Sequence, residues 1–198
     1  MKIGIIDYGM GNIKSITNAV NHLNHTASLL TNPDSINDYD FLILPGVGAF
    51  SEAMSKLNET GMNHAIIDCV KNGKKILGIC LGMQLLFAKS YEFGETTGLG
   101  LVEGDVVPFD KEIALKVPHM GWNEAIATDN YFKDLSGDYY FVHSYYCLPK
   151  KKEVTLFLTN YGINFCSAIN LNSQIYGVQF HPEKSQHLGM NLLKRILV

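Results

Sequence analysis

Lys75-Ile-Leu-Gly78-Ile-Cys80-Leu-Gly82-Met-Gln84 decides the fold. A short apolar run meets a cysteine with glycine two residues to either side, and a helical pattern follows. Strand, Gly-x-Cys-x-Gly, helix is the form of the nucleophile elbow Gly-x-Ser-x-Gly, with sulfur in place of oxygen. The glycines permit a tight, strained turn, which exposes the central side chain at the C-terminal edge of a parallel sheet, where ligands bind in such folds. The helix start beyond Cys80 favours a thiolate. Taken alone, the pentapeptide equally suits a small cysteine buried between packing glycines. Cys69, Cys147 and Cys166 lack such a setting and read as small core residues. No CxxC or Cys/His metal spacing occurs, so all four cysteines are expected as reduced thiols, without metal or cofactor.

On both sides of this stretch, strand and helix signals alternate. Residues 2–7, 28–30, 41–44 and 75–79 read as strands. Ile13, Ile16, Val20 and Leu23 recur at helical spacing behind Asn12, placed as an N-cap. Residues 51–72 are helical with a break at Gly61, Gly73 closes that segment, and residues 81–90 form a further helix. Beyond residue 100 the pattern changes to closely spaced strands at 102–108, 122–127, 139–142, 154–161, 166–171 and 174–180, with Asn172-Ser173 as a hairpin turn. Leu188, Leu192 and Ile196 mark a final amphipathic helix. The expected fold is α/β in three layers: a mostly parallel central sheet with helices on both faces, plus a C-terminal antiparallel β portion.

The 198 residues, 46% apolar and 18% charged, suit one sizeable core and a single domain over 1–198. Net charge is -3, and Arg195 is the one arginine among 16 basic residues. Bidentate phosphate or base recognition relies mainly on arginine, so no nucleic-acid partner is expected. Asp7 interrupts the apolar opening too early for a signal-peptide core, and the uncharged run at 76–88 is too short for a bilayer. A cytoplasmic protein without membrane contact is the expectation. Lys150-Lys-Lys152 reads as a solvated turn.

A reactive thiol needs a base and a group to orient it. Among seven histidines, His181 stands out in Val178-Gln-Phe-His181-Pro-Glu183, where an apolar strand ends on the imidazole and Pro182 stops the ladder. Glu183 follows close enough to hold the ring. If this strand lies beside that of Cys80, the three reproduce the logic of an acyl-transfer triad. Leu44-Pro-Gly46-Val47-Gly48 again follows a strand, and its glycines let backbone N–H groups converge on an oxyanion. A phosphate loop would need a Gly-Lys-[Ser/Thr] ending, which is absent, and Gly9-Met-Gly11 lacks the third glycine of a dinucleotide site.

Together and in this order, the motifs resemble the class I (triad) glutamine amidotransferases over essentially the whole chain. They are Ile6-Asp-Tyr-Gly-Met-Gly-Asn12, Pro45-Gly-Val-Gly-Ala-Phe50, Gly78-Ile-Cys-Leu-Gly-Met-Gln84, Pro118-His-Met-Gly-Trp-Asn123, Tyr140-Phe-Val-His-Ser-Tyr-Tyr146 and Gly177-Val-Gln-Phe-His-Pro-Glu-Lys-Ser185. The first and fourth point to the branch serving histidine biosynthesis. The resemblance implies a glutaminase with Cys80, His181 and Glu183 as catalytic residues and Val47, Gly48 and Leu81 as the oxyanion hole. Gly46, Gly48, Gln84 and the His143-Ser144-Tyr145 segment would bind L-glutamine. It further implies a heterodimer with a (β/α)8-barrel cyclase subunit, docked on Asn12, Met120, Trp122, Asn123 and Lys184. That partner would receive the ammonia and activate the glutaminase, with the Gly46–Gly48 segment as the candidate switch. Three readings compete: the same chemistry feeding another synthase, such as a surface-sugar amidation enzyme; a non-hydrolytic module on the same fold; and a cysteine hydrolase of esters or peptides.

Overall fold

The computed structural model describes residues 1–110 and 115–198. The first half runs β1 (Lys2–Ile6), α1 (Ile13–His22), β2 (Thr26–Leu30), β3 (Phe41–Leu44), α2 (Phe50–Thr60), α3 (Met62–Lys71), β4 (Lys75–Ile79) and α4 (Leu81–Leu85). Strands β5 (Phe87–Ser90), β6 (Thr96–Thr97), β7 (Val102–Pro108), β8 (His119–Ala127), β9 (Gly137–His143) and β10 (Tyr145–Pro149) follow. The chain closes with β11 (Thr155–Tyr161), β12 (Ile163–Leu171), β13 (Ile175–Val178) and α5 (Gln186–Ile196). Among the described residues these strands make one sheet in the order β2-β1-β3-β4-β13-β12-β10-β7-β5-β6, from which β11, β8 and β9 branch at β12.

Alternation along the central strands sends side chains to two cores. Phe41, Ile43, Leu77 and Ile79 pack with Ile16 and Val20 of α1 and Leu192 and Ile196 of α5. Leu42, Leu44 and Ile76 pack on the opposite face with Met54 and Leu57 of α2 and Ile66 and Val70 of α3. This period of two, with both faces covered, is why these strands lack an alternating polar pattern. Each large apolar side chain so buried stabilises the fold by roughly 1.5–3 kcal/mol. Beyond β13 the first of these cores continues as an aromatic cluster of Phe109, Tyr139, Phe141, Phe157, Phe165 and Phe180.

The three-layer expectation is met, with local differences. The helix expected over 81–90 ends at Leu85, and the chain turns into β5. The carbonyls of Leu85, Leu86, Phe87 and Ala88 accept N–H groups of residues 98–102, so tertiary bonds outcompete helix propagation. Strand β8 begins at His119 rather than 122, and strands β6 and β10 were not foreseen. Asn12 occupies the N-cap position of α1, yet its side chain makes no capping bond. The hairpin is as expected: Asn172 and Ser173 both adopt φ of 55°, the left-handed pair of a tight two-residue turn.

One topological step positions the site. Strand β13, late in the sequence, inserts parallel to β4 with Gly177 opposite Gly78 and Val178 opposite Ile79. The residues that follow each strand are thereby delivered to the same sheet edge.

Candidate active site

Cys80 follows β4 directly, with φ 55° and ψ -113°, outside the ordinary regions for a residue with a side chain. Such strain persists only where surrounding structure enforces it. The flanking glycines show how. A Cβ on Gly82 would sit inside the Leu44 carbonyl of β3, and one on Gly78 would lie 2.5 Å from the Gly82 carbonyl oxygen. The elbow therefore packs backbone on backbone, which leaves Cys80 at its apex. Helix α4 behind it has five residues. A dipole that short adds little, so the expected helix contribution is not what sets this site apart; its distinguishing feature is a neighbouring cation.

That cation is His181. The Cys80 N–H donates to the Val178 carbonyl (2.8 Å), and the His181 N–H to the Tyr140 carbonyl (2.9 Å), so backbone bonds hold both groups at one edge. His181 Nδ1 lies 2.9 Å from Glu183 Oε1, with side chains 3% and 0% exposed. Nε2 is buried and engages the Cys80 sulfur outside standard hydrogen-bond geometry. Burial opposes the imidazolium, but hydrogen bonding to Cys80 and Glu183, with their charges, outweighs it and pushes the imidazole up to about 9. Loose nucleophile–base geometry is common before substrate arrives. Cys80 Sγ also lies 3.8 Å from the Val142 carbonyl oxygen and 3.8 Å from Gln179 Nε2.

A cavity of about 550 Å³ opens over the sulfur. Its lining joins Cys80, His181, Val47, Gly48, Leu81, Gln84 and the His143–Tyr145 segment, which come from separate parts of the sequence. Gly48 adopts φ 99°, a conformation suited to turning backbone N–H groups inward. The opening motif supports this loop: the Tyr8 hydroxyl donates to the Pro45 carbonyl (2.9 Å). Burial and the nearby Cys80 charge keep Tyr8 protonated by raising its pKa. Gly46 is buried behind the loop and does not line the cavity.

Sequence reasoning missed two contributors. Glu92 is the one carboxylate among the described lining residues. Its Oε2 accepts from the Phe50 N–H (2.6 Å) and so caps α2 across 42 residues, a distance no local signal reveals. Gln179, fully buried, accepts from Gln84 Nε2 at 3.0 Å and bridges that amide to Cys80. Its signal was a polar residue directly after the run Ile175–Val178 and ahead of Phe180.

The residues expected to dock a partner divide. Met120 (63% exposed) and Trp122 (50%) stand on the outer face of β8. Trp122 meets Tyr140 edge-on at 6.1 Å, and Lys184 Nζ lies 5.7 Å from the same ring. Asn12 is half-buried, and the Asn123 side chain turns inward to His119 and the Asn160 carbonyl. Arg195, the sole arginine, is occupied by a forked pairing with Asp134 at 2.5 and 2.9 Å. A larger cavity of about 660 Å³ beside Cys147 and Cys166 holds no member of the triad. Among the described residues no cluster could hold a metal ion, and no helix is long and apolar enough to cross a membrane.

Comparison with known proteins identifies the family. The protein named "Imidazole glycerol phosphate synthase subunit HisH" of Wolinella succinogenes is 45% identical, covering 97% of this chain and 97% of its own length. "Imidazole glycerol phosphate synthase hisHF, chloroplastic" of Arabidopsis thaliana is 43% identical, covering 98% of this chain but 34% of its own. The fold is shared with the structure of PurLQS from Thermotoga maritima, at TM-score 0.76 and 17% identity, covering 99% and 97% of the two chains. The family pattern described as glutamine amidotransferase class-I matches residues 4–198, and this chain belongs to that family.

Proposed function

We propose that this enzyme is the glutaminase subunit of an imidazole glycerol phosphate synthase, working as one domain in the cytoplasm. The observation that carries the reading is the convergence of Cys80, His181 and Glu183 beneath one cavity, from strands made adjacent by β4–β13 pairing. The 45% identity to a HisH subunit over almost its full length supplies the specific synthase.

The chemistry follows from the geometry. The Cys80 thiolate attacks the side-chain amide carbon of L-glutamine, and the carbonyl oxygen becomes an oxyanion. Backbone N–H groups of Val47, Gly48 and Leu81 are the donors available there, and one such donor typically contributes about 10²–10³ in rate. As the C–N bond breaks, the His181 imidazolium gives its proton to the departing ammonia. Neutral His181 then takes a proton from water, which attacks the thioester and releases glutamate. Glu183 holds the Nδ1 side of the ring through both steps. Gln84, the Tyr145 segment and the Glu92 carboxylate surround the amino-acid end of the substrate, where an anion complements the α-ammonium group.

Ammonia released in bulk water at neutral pH is largely protonated and no longer nucleophilic, so it must pass directly to an acceptor. That acceptor is a (β/α)8-barrel cyclase subunit carrying the ribonucleotide, which yields imidazole glycerol phosphate and aminoimidazole carboxamide ribonucleotide. Support for an acceptor beyond this chain comes from the Arabidopsis relative, in which the matching region is 34% of the length. Met120, Trp122 and Lys184 offer the docking face, since β8 pairs with the β9 strand whose Val142 carbonyl touches the sulfur. Reconstitution with the cyclase tests this reading. Cys80→Ala abolishes synthesis from glutamine and leaves synthesis from added ammonium salts; glutamine-dependent product from that variant would overturn the assignment.

A further inference from the structure

The His143–Tyr145 segment walls the cavity, and the Tyr145 carbonyl is its anchor. That oxygen accepts from Gln84 Nε2 at 3.1 Å and from His143 Nδ1 at 2.8 Å. A carbonyl can only accept, so His143 carries its proton on Nδ1 and presents a lone pair at Nε2. His119 Nδ1 lies 2.9 Å from that lone pair and is therefore a donor. His119 Nε2 in turn accepts, and Asn123 Nδ2 at 3.2 Å supplies the N–H. The remaining amide contacts agree: Asn123 Nδ2 also donates to the Asn160 carbonyl (2.9 Å), and Oδ1 accepts from the Glu124 N–H (2.9 Å). One proton arrangement satisfies every atom, and it runs in a single direction from strand β8 to the cavity wall.

We propose that His119 and Asn123 are positioning residues for glutamine, acting through His143 to fix the Tyr145 carbonyl and the cavity wall it belongs to. The inference rests on the glutaminase reading and goes beyond it, because neither residue lines the cavity. Strand register makes the relay possible, since His119 lies directly opposite His143 across β8 and β9. Stacking makes it rigid: the His119 ring sits 3.9 Å from Tyr161 and 4.7 Å from Phe141, near-parallel to both. Burial lowers both imidazoles, His119 to about 4 and His143 to about 3, so the rings remain neutral at physiological pH. With the opposite tautomer, His143 would turn a lone pair on the Tyr145 oxygen and release the wall.

His119→Phe keeps the stacked ring and removes both relay bonds, while His119→Gln restores one donor and one acceptor. Two measurements apply: glutamine protection of Cys80 against iodoacetamide in the full chain, and glutaminase kinetics with the cyclase. In His119→Phe, half-protection requires about tenfold more glutamine and KM rises about tenfold, the scale of one lost buried hydrogen bond. Its kcat and its alkylation rate without glutamine change less than about threefold, and His119→Gln recovers most of the affinity. A folded His119→Phe protected as well as wild type overturns the relay. Should that variant not fold, Asn123→Ala removes the head of the relay, and unchanged protection there is equally fatal. Failure of glutamine to protect the wild-type chain would instead sink the glutaminase reading itself.

Discussion

Cys80 and the Cys147–Cys166 pair belong to one fold and are almost equally hidden, yet their surroundings are opposite. Cys147 and Cys166 face each other in mid-strand across β10 and β12. Burial pushes the Cys166 thiol up to about 12 and Cys147 well above its ordinary value. Cys80 is 7% exposed against 0% and 5% for those two, so accessibility does not distinguish them. What does is the end of a strand. Cys80 stands one residue past β4 in a strained turn, where an imidazolium from the next strand reaches it. For a thiol inside a ladder, burial is the largest influence and disfavours its charged form, and at Cys166 the Thr155 side chain and the Ala168 backbone offset only part of it.

Four experiments press on this contrast. In the largest effect, Glu183→Gln lowers glutaminase kcat by roughly 10²–10⁴, because the imidazole loses the carboxylate that orients it; steady-state assays with the cyclase measure it, and a loss under threefold would contradict the triad. Next, iodoacetamide at pH 7.5 modifies Cys80 first in the native protein. A thiol at about 12 rather than 9.0 holds ~10³ less thiolate, so peptide mass mapping should find Cys166 unmodified while Cys80 is complete.

Third, the His181 imidazolium persists to about pH 9. Its value is raised, so its contribution to stability is complete below the ordinary 6.5 and is lost as pH rises through about 9. kcat/KM for glutamine should fall about tenfold per unit above that point, and a profile still flat at pH 10 would refute the pairing. The smallest effect is thermodynamic. Cys147→Ser buries a hydroxyl in mid-sheet, costing about 1–3 kcal/mol in denaturant unfolding, with kcat changed less than twofold.

Much of the site was legible because its geometry is local. Gly-x-Cys-x-Gly encodes backbone contacts that only hydrogen at Cα permits, and His-Pro-Glu places a carboxylate within reach of its own imidazole. The alternation of apolar strands with amphipathic helices similarly exposed the two-sided parallel sheet. The end of α4 at Leu85 was not legible, since distant N–H groups at residues 98–102 captured the carbonyls that would have extended it. Glu92 as cap of α2, Tyr8 as prop of the Pro45 carbonyl and the His119–His143 relay were hidden for the same reason: each pairs groups far apart in the chain.

The amino-acid sequence by itself determined where a cysteine, a histidine and a carboxylate stand in turn-forming motifs and which faces are apolar, because side-chain type, glycine permissiveness and hydrophobic period act over a few residues. Tertiary structure alone decided that β13 lies beside β4, that Gln179 touches the sulfur and that two neutral imidazoles meet end to end. Those facts depend on strand order and register, and a shift of one residue would turn every such side chain to the opposite face of the sheet.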